Sequence, residues 1–471
     1  MNIQLIGLEE FGFNGMIDFL SLLNIRVHYP NINQGSQQKI VQLENGETDA
    51  KSLSFYVYCD LWDYVQYAVK HKGLEREDAK KIWLSHAEDV LNQKQNDILS
   101  SYAFMQQPVG FFSCLNETGL FSIDLSEVKQ KYIDFYQPKH FYQSYTVELI
   151  RWCKEDTRAN QIIKELHQRA VLPHDLIKPA SENKRLVDIV IPCYNLGHLL
   201  EETLASIERS FNNNFSVLII DDGSTQPETQ QGLKRAEEYG YKVVYQKNAG
   251  LCNALNNGLA MCENELVLIL SADDMLDPLF VTKSIEILNA TEEIGVVYCN
   301  PRTFEAWHSM WLTPDFDPAQ MLSQNFIVAT SVFRKKHWEK AGGYDPMADG
   351  NEDWDMWMSC LEQGAGFHHV DEYLFHYRYR EGSKIQICSL PDNRKKLVSY
   401  MSGKHHILYE KHLPSIIGNL HYIIATTTQQ KTEGKSIDQI EVEAGAKQLG
   451  IVGSFMYRSL RKVGHLVRNR K

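Results

Sequence analysis

The sequence predicts an α/β protein whose central domain is a mainly parallel sheet flanked by helices. From Leu186 to about Tyr298, continuous Val, Ile and Leu runs alternate with stretches long enough to form helices. Strands that are buried on both faces read as unbroken apolar runs, and parallel strands need helical crossovers between them. The predicted strands are Val187–Pro192, Ser216–Ile220, Lys242–Tyr245, Glu265–Leu270 and Gly295–Tyr298, and the predicted helices are Leu199–Phe211, Thr229–Tyr239, Gly250–Cys262 and Pro278–Asn289.

Residues 1–170 are predicted to form an accessory domain, either α/β or mostly helical. Short apolar runs at Ile3–Ile6 and Ile25–Tyr29 lie on either side of a predicted helix at 15–23, and another helix is expected over Ser144–Gln168. Helical spacing also predicts one shared face for Trp83, Ala87, Val90, Leu91 and Ile98. This region carries no recognisable catalytic motif, so the sequence does not predict its role.

A linker and a helical C-terminal region enclose the central domain. Residues 171–185 contain two prolines and no periodicity, which indicates a linker, and the predicted domain then runs over 186–385. No acidic residue follows Glu443. The last part of the 386–471 region instead carries basic residues beside apolar residues at helical spacing, namely Arg458, Arg461, Lys462, Arg468, Arg470 and Lys471 with Met456, Leu460, Val463 and Val467. Such a tail can lie on an anionic membrane surface. The alternatives are a frayed basic tail and a helix docked on its own protein.

Charge and cysteine usage narrow the function class. A net charge of −12 argues against a general nucleic-acid binder, because phosphate backbones are held by clustered Lys and Arg. The 9 cysteines occur singly, without a CxxC pair, which fits buried free thiols in a reducing compartment. Neither a signal-like start nor an apolar run long enough to span a bilayer is evident. We therefore expect a cytoplasmic protein, with possible peripheral contact at the inner face of the cell membrane.

Polar residues follow three of the predicted strands directly, at Pro192-Cys-Tyr-Asn195, Asp221-Asp-Gly-Ser-Thr225 and Ser271-Ala-Asp-Asp274. In open α/β sheets, ligands bind beyond the carboxyl ends of the strands. A carboxylate at such a position is held by rigid backbone and can bind a base, a ribose or a metal ion. An Asp-Gly after a strand is commonly only a turn, but the combination in this order predicts a site.

These segments resemble the family 2 glycosyltransferases of the GT-A fold, the nucleotide-diphospho-sugar transferase fold. The resemblance runs from about Lys184 to about Ser383 and rests on ordered motifs, which read IVIPCYN, LIIDDGST, NAGLCNALNNGLAMCENELVLILSADD, SVFRKKHWEKAGGYDPMADGNEDWDMWMSCLEQG and HYRYREGSKI. The first 180 residues and the last 80 or so lie outside it.

The resemblance implies roles for individual residues. Pro192 and Tyr194 would line the nucleobase pocket, and Asp222 would accept a hydrogen bond from the base, with UDP as the expected nucleotide. Asp273 would lie beside the ribose and diphosphate. Asp274 would coordinate Mg²⁺ or Mn²⁺, which prefer hard oxygen ligands.

On the acceptor side, Asp353 of the pair Glu352-Asp353 would be the general base of an inverting displacement. The expected partners are a nucleotide-sugar donor and a glycan or glycoconjugate acceptor. A single base suffices for inversion by one displacement, unlike the facing carboxyl pair of a glycosidase.

Two positions depart from the family pattern. Leu255 stands where many relatives have an Arg that can contact the diphosphate. Arg380 stands near a position where some relatives carry a His, and it is a candidate replacement cation in the cofactor site, the alternative being a solvent-facing Arg.

Several Trp residues occur in the acceptor half. Trp354 and Trp357 are expected to put at least one ring into the core, whereas Trp307 and Trp311 are candidates for a sugar platform.

Two other functions stay open at this stage. A sugar-phosphate nucleotidyltransferase would be expected to have a Gly-rich basic loop after the first strand, and PCYNLGH is not one. A non-catalytic sugar- or partner-binding module would be expected to lack a metal or base carboxylate, yet Asp273, Asp274 and Asp353 are all present.

Overall fold

The computed structural model of the chain describes residues 2–8, 16, 18–20, 26–28, 38–44, 53–92, 98–106, 108–117, 124–135, 145–169, 187–210, 215–348, 350–380 and 391–432. The chain divides into two compact units, Met1–Glu182 and Asn183–Lys471. The predicted linker and the basic tail lie outside the described residues.

The first unit contains a five-stranded sheet and helices. The sheet order is β2-β3-β1-β4-β5, with β1 antiparallel to β3 and parallel to β4. Its strands are β1 (Asn2–Leu8), β2 (Arg26–His28), β3 (Gln38–Glu44), β4 (Leu53–Tyr58) and β5 (Ile98–Ser100). Its helices are α1 (Leu61–Lys72), α2 (Arg76–Leu91), α3 (Ser101–Gln106), α4 (Pro108–Glu117), α5 (Leu125–Phe135), α6 (Val147–Glu155) and α7 (Thr157–Arg169). Of the two interpretations of this region, the structure has the α/β one.

Two details of the first unit differ from the sequence prediction. The helical face of Trp83, Ala87 and Val90 is buried in α2 as predicted, but Ile98 lies in strand β5 and does not share that face. The helix predicted over Ser144–Gln168 is two helices that meet at Asp156, whose Oδ1 accepts a hydrogen bond 2.9 Å long from the backbone N–H of Ala159. An Asp that satisfies the free N–H groups of a new helix is a common start signal, and it interrupts an otherwise continuous helical pattern.

The second unit is built on a nine-stranded mixed sheet. Its strands are β6 (Val187–Cys193), β7 (Phe215–Asp221), β8 (Lys242–Tyr245), β9 (Leu266–Ile269), β10 (Met275–Leu276), β11 (Ile294–Glu305), β12 (Ser309–Met310), β13 (Val332–Arg334) and β14 (Gly366–Tyr379). The order is β10-β14-β11-β13-β9-β6-β7-β8, with β12 paired to β11. The half formed by β9, β6, β7 and β8 is parallel throughout, whereas β13 is antiparallel to both of its neighbours.

The helices of the second unit alternate with its strands. They are α8 (Leu200–Glu208), α9 (Pro227–Glu238), α10 (Leu251–Ala260), α11 (Phe280–Ala290), α12 (Pro318–Ser323), α13 (Lys335–Ala341), α14 (Glu352–Glu362), α15 (Pro391–Lys404) and α16 (His406–Thr432). Each predicted strand and helix of the 186–298 segment is present, with ends displaced by one to three residues for most of them. An exception is β11, which runs to Glu305, well beyond the predicted end.

The core of the second unit lies between the sheet, α10, α12 and α14. Trp354 and Trp357 are fully buried in it, so the prediction for these two rings is confirmed. The 7 cysteines whose side chains the structure describes are free and buried, as predicted, and burial raises the pKa of the Cys193 and Cys262 thiols to about 12. Within the described part of the chain, no helix is both long and apolar enough to cross a membrane.

Candidate functional site

The carboxyl ends of β6 and β7 meet at one edge of the sheet. The two strands pair in parallel with Cys193 opposite Asp221, and the backbone N–H of Asp222 donates to the Cys193 carbonyl over 2.9 Å. Pro192 is buried within β6, whereas the ring of Tyr194, just beyond the strand, is 49% exposed. Tyr194 is therefore available to a flat ligand above this edge.

The carboxylate of Asp222 is buried and holds the loop that follows β8. Its Oδ1 accepts hydrogen bonds from Gln246 Nε2 and the backbone N–H of Ala249, at 2.7 and 2.8 Å. Its Oδ2 accepts from the backbone N–H of Gly250 at 2.9 Å. A carboxylate oxygen can accept two hydrogen bonds, so Oδ2 keeps one acceptor position for a ligand.

The loops after β6 and β7 are joined to each other. Asn195, with a left-handed φ of 57°, accepts hydrogen bonds on Oδ1 from the backbone N–H groups of Thr225 and Gln226. Gly223 has a φ of 72°, and a Cβ there would lie 2.6 Å from the backbone nitrogen of Asn248. The backbone approaches so closely only because Gly has no side chain. These contacts fix the loops after β6 and β7 against each other, next to Tyr194 and Asp222.

Asp273 and Asp274 lie in the short loop between β9 and β10. Their residues are 8% and 3% exposed, so two carboxyl groups are largely buried next to each other. The backbone N–H of Arg378 donates to Asp274 Oδ1 over 2.8 Å. Arg380 donates from Nε to Asp273 Oδ2 at 2.9 Å, and its Nη2 lies 2.6 Å from the same oxygen. The structure thus brings three predicted site residues together, and Arg380 pairs with Asp273 although 39% of its side chain remains exposed.

Burial and the neighbouring Asp273 carboxylate raise the pKa of Asp274 well above its ordinary range. Arg380 provides a positive charge to Asp273, whereas the one donor to Asp274 among the described residues is the backbone N–H of Arg378. This pair fits a hard cation that takes its remaining ligands from a diphosphate, the usual way in which Mg²⁺ binds at phosphate sites. Among the described residues, no group of three or more His, Cys, Asp or Glu side chains is arranged to hold a metal ion by itself.

Arg378 is a residue of the candidate site that the sequence analysis missed. Its side chain is buried, and its Nε donates to the backbone carbonyl of Asp273 over 2.6 Å. Its two Nη atoms pair with Glu202 at 2.5 Å and Glu305 at 3.3 Å. Because side chains alternate along a strand, Arg378 shares a face with Arg380, and this period of two in HYRYR was the signal available in the sequence.

Asp353 is the second residue of α14. Its Oδ1 accepts a hydrogen bond from the backbone N–H of Trp354 at 2.8 Å, and both carboxylate oxygens lie 3.2 Å from Asn325 Nδ2. Burial, together with the neighbouring Glu352 carboxylate, raises the pKa of Asp353 to about 7. A carboxylate with this pKa is a far better proton acceptor near neutral pH than an ordinary Asp.

The start of α14 is fixed by the two buried tryptophans. Trp354 Nε1 donates to the Met321 carbonyl over 2.7 Å, and Trp357 Nε1 donates to the Ile327 carbonyl over 3.2 Å. These bonds tie the helix that carries Asp353 to α12 and the segment after it. The prediction that Asp353 lies at a helix start is confirmed, although Asn351 occupies the N-cap position.

Four aromatic rings, two of them on β14, pack into one cluster. The ring centroids of Trp307 and Trp311 lie 5.9 Å apart, Trp307 meets the Tyr379 ring at 5.5 Å, and Trp311 meets the Tyr377 ring at 5.7 Å. Trp311 is only 9% exposed, so it supports the cluster from inside. Trp307 is partly exposed and is the ring of the two that can meet a sugar face.

Comparison with known proteins identifies this part of the molecule. Residues 188–348 match the family model described as Glycosyl transferase family 2. This segment of the chain is similar to the family 2 glycosyltransferases. The match includes the strand ends and the Asp273-Asp274 loop, and the predicted family resemblance and GT-A α/β fold class are confirmed.

Several curated proteins are similar to about half of this chain. The chain is 24% identical over 246 residues to the uncharacterized protein y4gI of Sinorhizobium fredii, 25% over 205 residues to the O-antigen biosynthesis protein RfbC of Myxococcus xanthus, and 24% over 238 residues to the chondroitin synthase of Escherichia coli. These alignments cover 50%, 42% and 49% of this chain. They span only 26%, 16% and 34% of the relatives' own lengths.

Two solved structures are also similar. S. aureus TarS 1-349 in complex with UDP-GlcNAc is 17% identical, with a TM-score of 0.40, over 46% of this chain and 66% of that one. The mannosyltransferase PcManGT from Pyrobaculum calidifontis, in complex with GDP-Man and Mn²⁺, is 16% identical, with a TM-score of 0.38, over 60% of this chain and 87% of that one.

One departure from the family pattern has a clear structural result. Leu255 of the glycosyltransferase domain is buried in the core against β6 and β7, so this position provides no cation for a diphosphate. Arg380, near the end of the predicted domain, provides a positive charge to the Asp273 carboxylate instead.

Proposed function

We propose that the protein is an inverting glycosyltransferase that moves a sugar from a nucleotide diphosphate sugar to an acceptor hydroxyl. The observation that carries this proposal is the buried pair Asp273 and Asp274 at the carboxyl edge of the sheet, inside the segment that matches the family. Tyr194 and Asp222 follow strands of the same sheet at its carboxyl edge and would bind the nucleobase. Asp222 offers an acceptor, which suits the N3–H of uracil, so UDP is the proposed nucleotide.

Asp273, Asp274 and Arg380 would hold the diphosphate end of the donor. Asp274 is the proposed ligand of Mn²⁺ or Mg²⁺, and Arg380 would move between Asp273 and the phosphate oxygens. A divalent cation, when bound, offsets the negative charge that develops on the leaving diphosphate. Arg378 would position the loop through the Asp273 carbonyl without contacting the donor.

Asp353 is the proposed general base. The acceptor oxygen attacks the anomeric carbon on the side opposite the diphosphate, and its proton goes to the Asp353 carboxylate. The bond from the anomeric carbon to the diphosphate oxygen breaks, and that oxygen keeps the electron pair. One displacement inverts the anomeric configuration, and the pKa of about 7 allows Asp353 to accept the proton near neutral pH.

The acceptor is proposed to be a glycan or glycoconjugate, with Trp307 as a platform for one of its sugar rings. Trp307→Ala should raise the acceptor KM while leaving donor affinity unchanged. Trp307→Phe keeps an aromatic ring, so its acceptor KM should lie close to that of the parent. An unchanged acceptor KM in the Ala variant would remove Trp307 from the site.

A donor screen tests the proposed function. UDP-, GDP- and dTDP-sugars are added with and without Mn²⁺, and both the melting temperature and the release of nucleoside diphosphate are measured. We expect one nucleotide series to stabilise the protein in a Mn²⁺-dependent way and to be turned over. Donor stabilisation without turnover, for any acceptor offered, would favour a binding module.

Asp274→Asn provides the critical comparison in this screen, because Asn keeps the size of Asp but not the charge that binds a hard cation. Calorimetry with UDP-sugar and Mn²⁺ should show a sharp loss of metal-dependent binding. Glu238→Gln, which neutralises an exposed carboxylate at the end of α9, is the matched control and should bind as the parent does. Parental binding by Asp274→Asn would contradict the metal assignment.

A further inference from the structure

Asn325 contacts the carboxylate of Asp353 from a different part of the chain. It lies after α12, and its Nδ2 is 3.2 Å from both Oδ1 and Oδ2 of Asp353. A donor at equal distance from the two oxygens points at the centre of the carboxylate. This arrangement restrains the rotation of the carboxylate about its own axis.

The backbone around Asn325 has little freedom to move. Just before it, the Met321 carbonyl accepts the Trp354 indole N–H, and the Leu322 carbonyl accepts the Tyr409 hydroxyl at 2.9 Å. Just after it, Phe326 and Ile327 are each 1% exposed. Asn325 is therefore held by contacts on both sides, which fixes the direction from which its amide approaches Asp353.

The amide of Asn325 is not fully satisfied within the protein. Its Oδ1 is buried and has no hydrogen-bond partner among the described residues. A buried acceptor without a partner lowers stability, so a purely structural Asn would be expected to satisfy both ends of its amide. The end that is satisfied is the N–H donor, and it points at the candidate base.

The other ionisable groups near Asp353 do not favour its ionised form. Glu352 lies next to it on α14 and disfavours a second negative charge. Burial and the Asp353 charge raise the pKa of the Tyr344 phenol, in the segment after α13, so this group stays neutral. The N–H donors that favour the ionised carboxylate are the backbone groups of Trp354 and of Asp353 itself and the side chain of Asn325, and Asn325 is the one side-chain donor among them.

We propose that Asn325 is a positioning residue of the transfer reaction, which orients the carboxylate of Asp353 and keeps it in the ionised, proton-accepting form. This inference rests on the proposed role of Asp353 as the base. Asn325 acts through Asp353 and needs no contact with the sugar.

The pH profile of kcat/KM tests this role. Asn325→Leu removes the donor with little change in size, so the acid limb should move to higher pH by about one unit, the effect of one hydrogen bond to a charged group. Activity near pH 6 should then fall about tenfold more than activity near pH 9. Asn325→Asp places a like charge at the same position and should move the limb further in the same direction. Asn325→Gln keeps an amide donor, so the acid limb should move less in this variant than in Asn325→Leu.

A direct measurement separates this inference from the proposed function. The full-length protein is labelled with [4-¹³C]aspartate, the Asp353 signal is assigned by its loss in Asp353→Asn, and its titration is followed in each variant. If Asn325 acts as proposed, the pKa of Asp353 rises in both Asn325→Leu and Asn325→Asp. If that pKa rises while the pH profile of transfer is unchanged, Asp353 is not the base and the proposed function is at fault.

An Asp353 pKa within about 0.3 units of the parental value in both variants would overturn the role of Asn325. A lower melting temperature with unchanged titration and an unchanged acid limb would indicate a structural contact only, and it would overturn the role equally. Asn325→Asp differs from the parent by a single atom exchange in the side chain, so it keeps the test available if Asn325→Leu does not fold.

Discussion

Replacing Asp353 by Asn separates a catalytic base from a helix-start residue. Asn has the shape of Asp, and its carbonyl oxygen can still accept the 2.8 Å hydrogen bond from the Trp354 backbone N–H. The fold and the donor affinity should therefore be kept. Loss of the proton acceptor should lower turnover by about 10²–10⁴-fold, which corresponds to about 3–5 kcal/mol of transition-state stabilisation.

The same substitution should raise stability, and the structure gives the sign. The pKa of Asp353 is about 7 in the folded protein against an ordinary value of 3.8. The folded state therefore binds a proton more tightly than the unfolded chain, so the parent loses stability as pH rises from about 4 to about 7. A shift of this size corresponds to at most about 4 kcal/mol, and solvent contact of the partly exposed side chain reduces it. A neutral Asn does not have this penalty.

Transfer rates, donor affinity and urea unfolding at about pH 5 and pH 8 measure both effects. We expect Asp353→Asn to be nearly inactive. Its gain in unfolding free energy over the parent should be larger at pH 8 than at pH 5. A residue that only starts the helix would give near-normal turnover in Asn and a loss of stability of about 1 kcal/mol in Ala. Transfer at the parental rate by Asp353→Asn would refute the assignment, and Glu352 would become the next candidate.

Three further perturbations have definite expected outcomes. Arg378→Gln leaves Glu202 without its 2.5 Å partner and should lower the unfolding free energy by about 3–5 kcal/mol in urea titrations, and an unchanged midpoint would contradict its positioning role. His405 pairs with Asp355 and Glu362, which raises its pKa despite burial. The stability from these pairs should be complete below about pH 6.5 and fall as pH rises through the raised pKa, and His405→Gln should flatten that dependence. Deletion from Gly453 onward, in the tail outside the described residues, should keep transfer activity and reduce co-sedimentation with anionic liposomes at low salt, whereas equal sedimentation of both forms would exclude membrane contact.

The parallel half of the sheet could be predicted from sequence because its strands are continuous apolar runs bounded by turn residues. The antiparallel β13 could not, since three residues, Val332–Arg334, give too short a pattern to separate from a loop. The same limit applies to Ile98, whose three-residue strand follows a strong helical period. Pairing across the sheet, which decides both cases, depends on contacts far apart in the chain.

The candidate site shows the same division. Carboxylates at strand ends were predictable because the strand end fixes their place, and motif order then distinguished Asp273-Asp274 from an ordinary turn. Arg378 and Asn325 form hydrogen bonds with residues that lie 105 and 28 positions away in the chain. Local sequence spacing does not predict contacts between such distant positions. The different roles proposed for Arg378 and Arg380 rest on which oxygen of Asp273 each one contacts.

The three hydrogen bonds that Asp222 accepts also bear on how donor range could change during evolution. Any replacement of Asp222 that lacks two acceptor oxygens releases the Gln246–Gly250 loop as well, so such a change is penalised whatever ligand is favoured. Tyr194 is 49% exposed, and its side chain makes no comparable set of hydrogen bonds to the described residues. Homologues that diverge in nucleotide preference should therefore vary at the Tyr194 position long before they vary at Asp222, and a laboratory library aimed at new donors is best placed there.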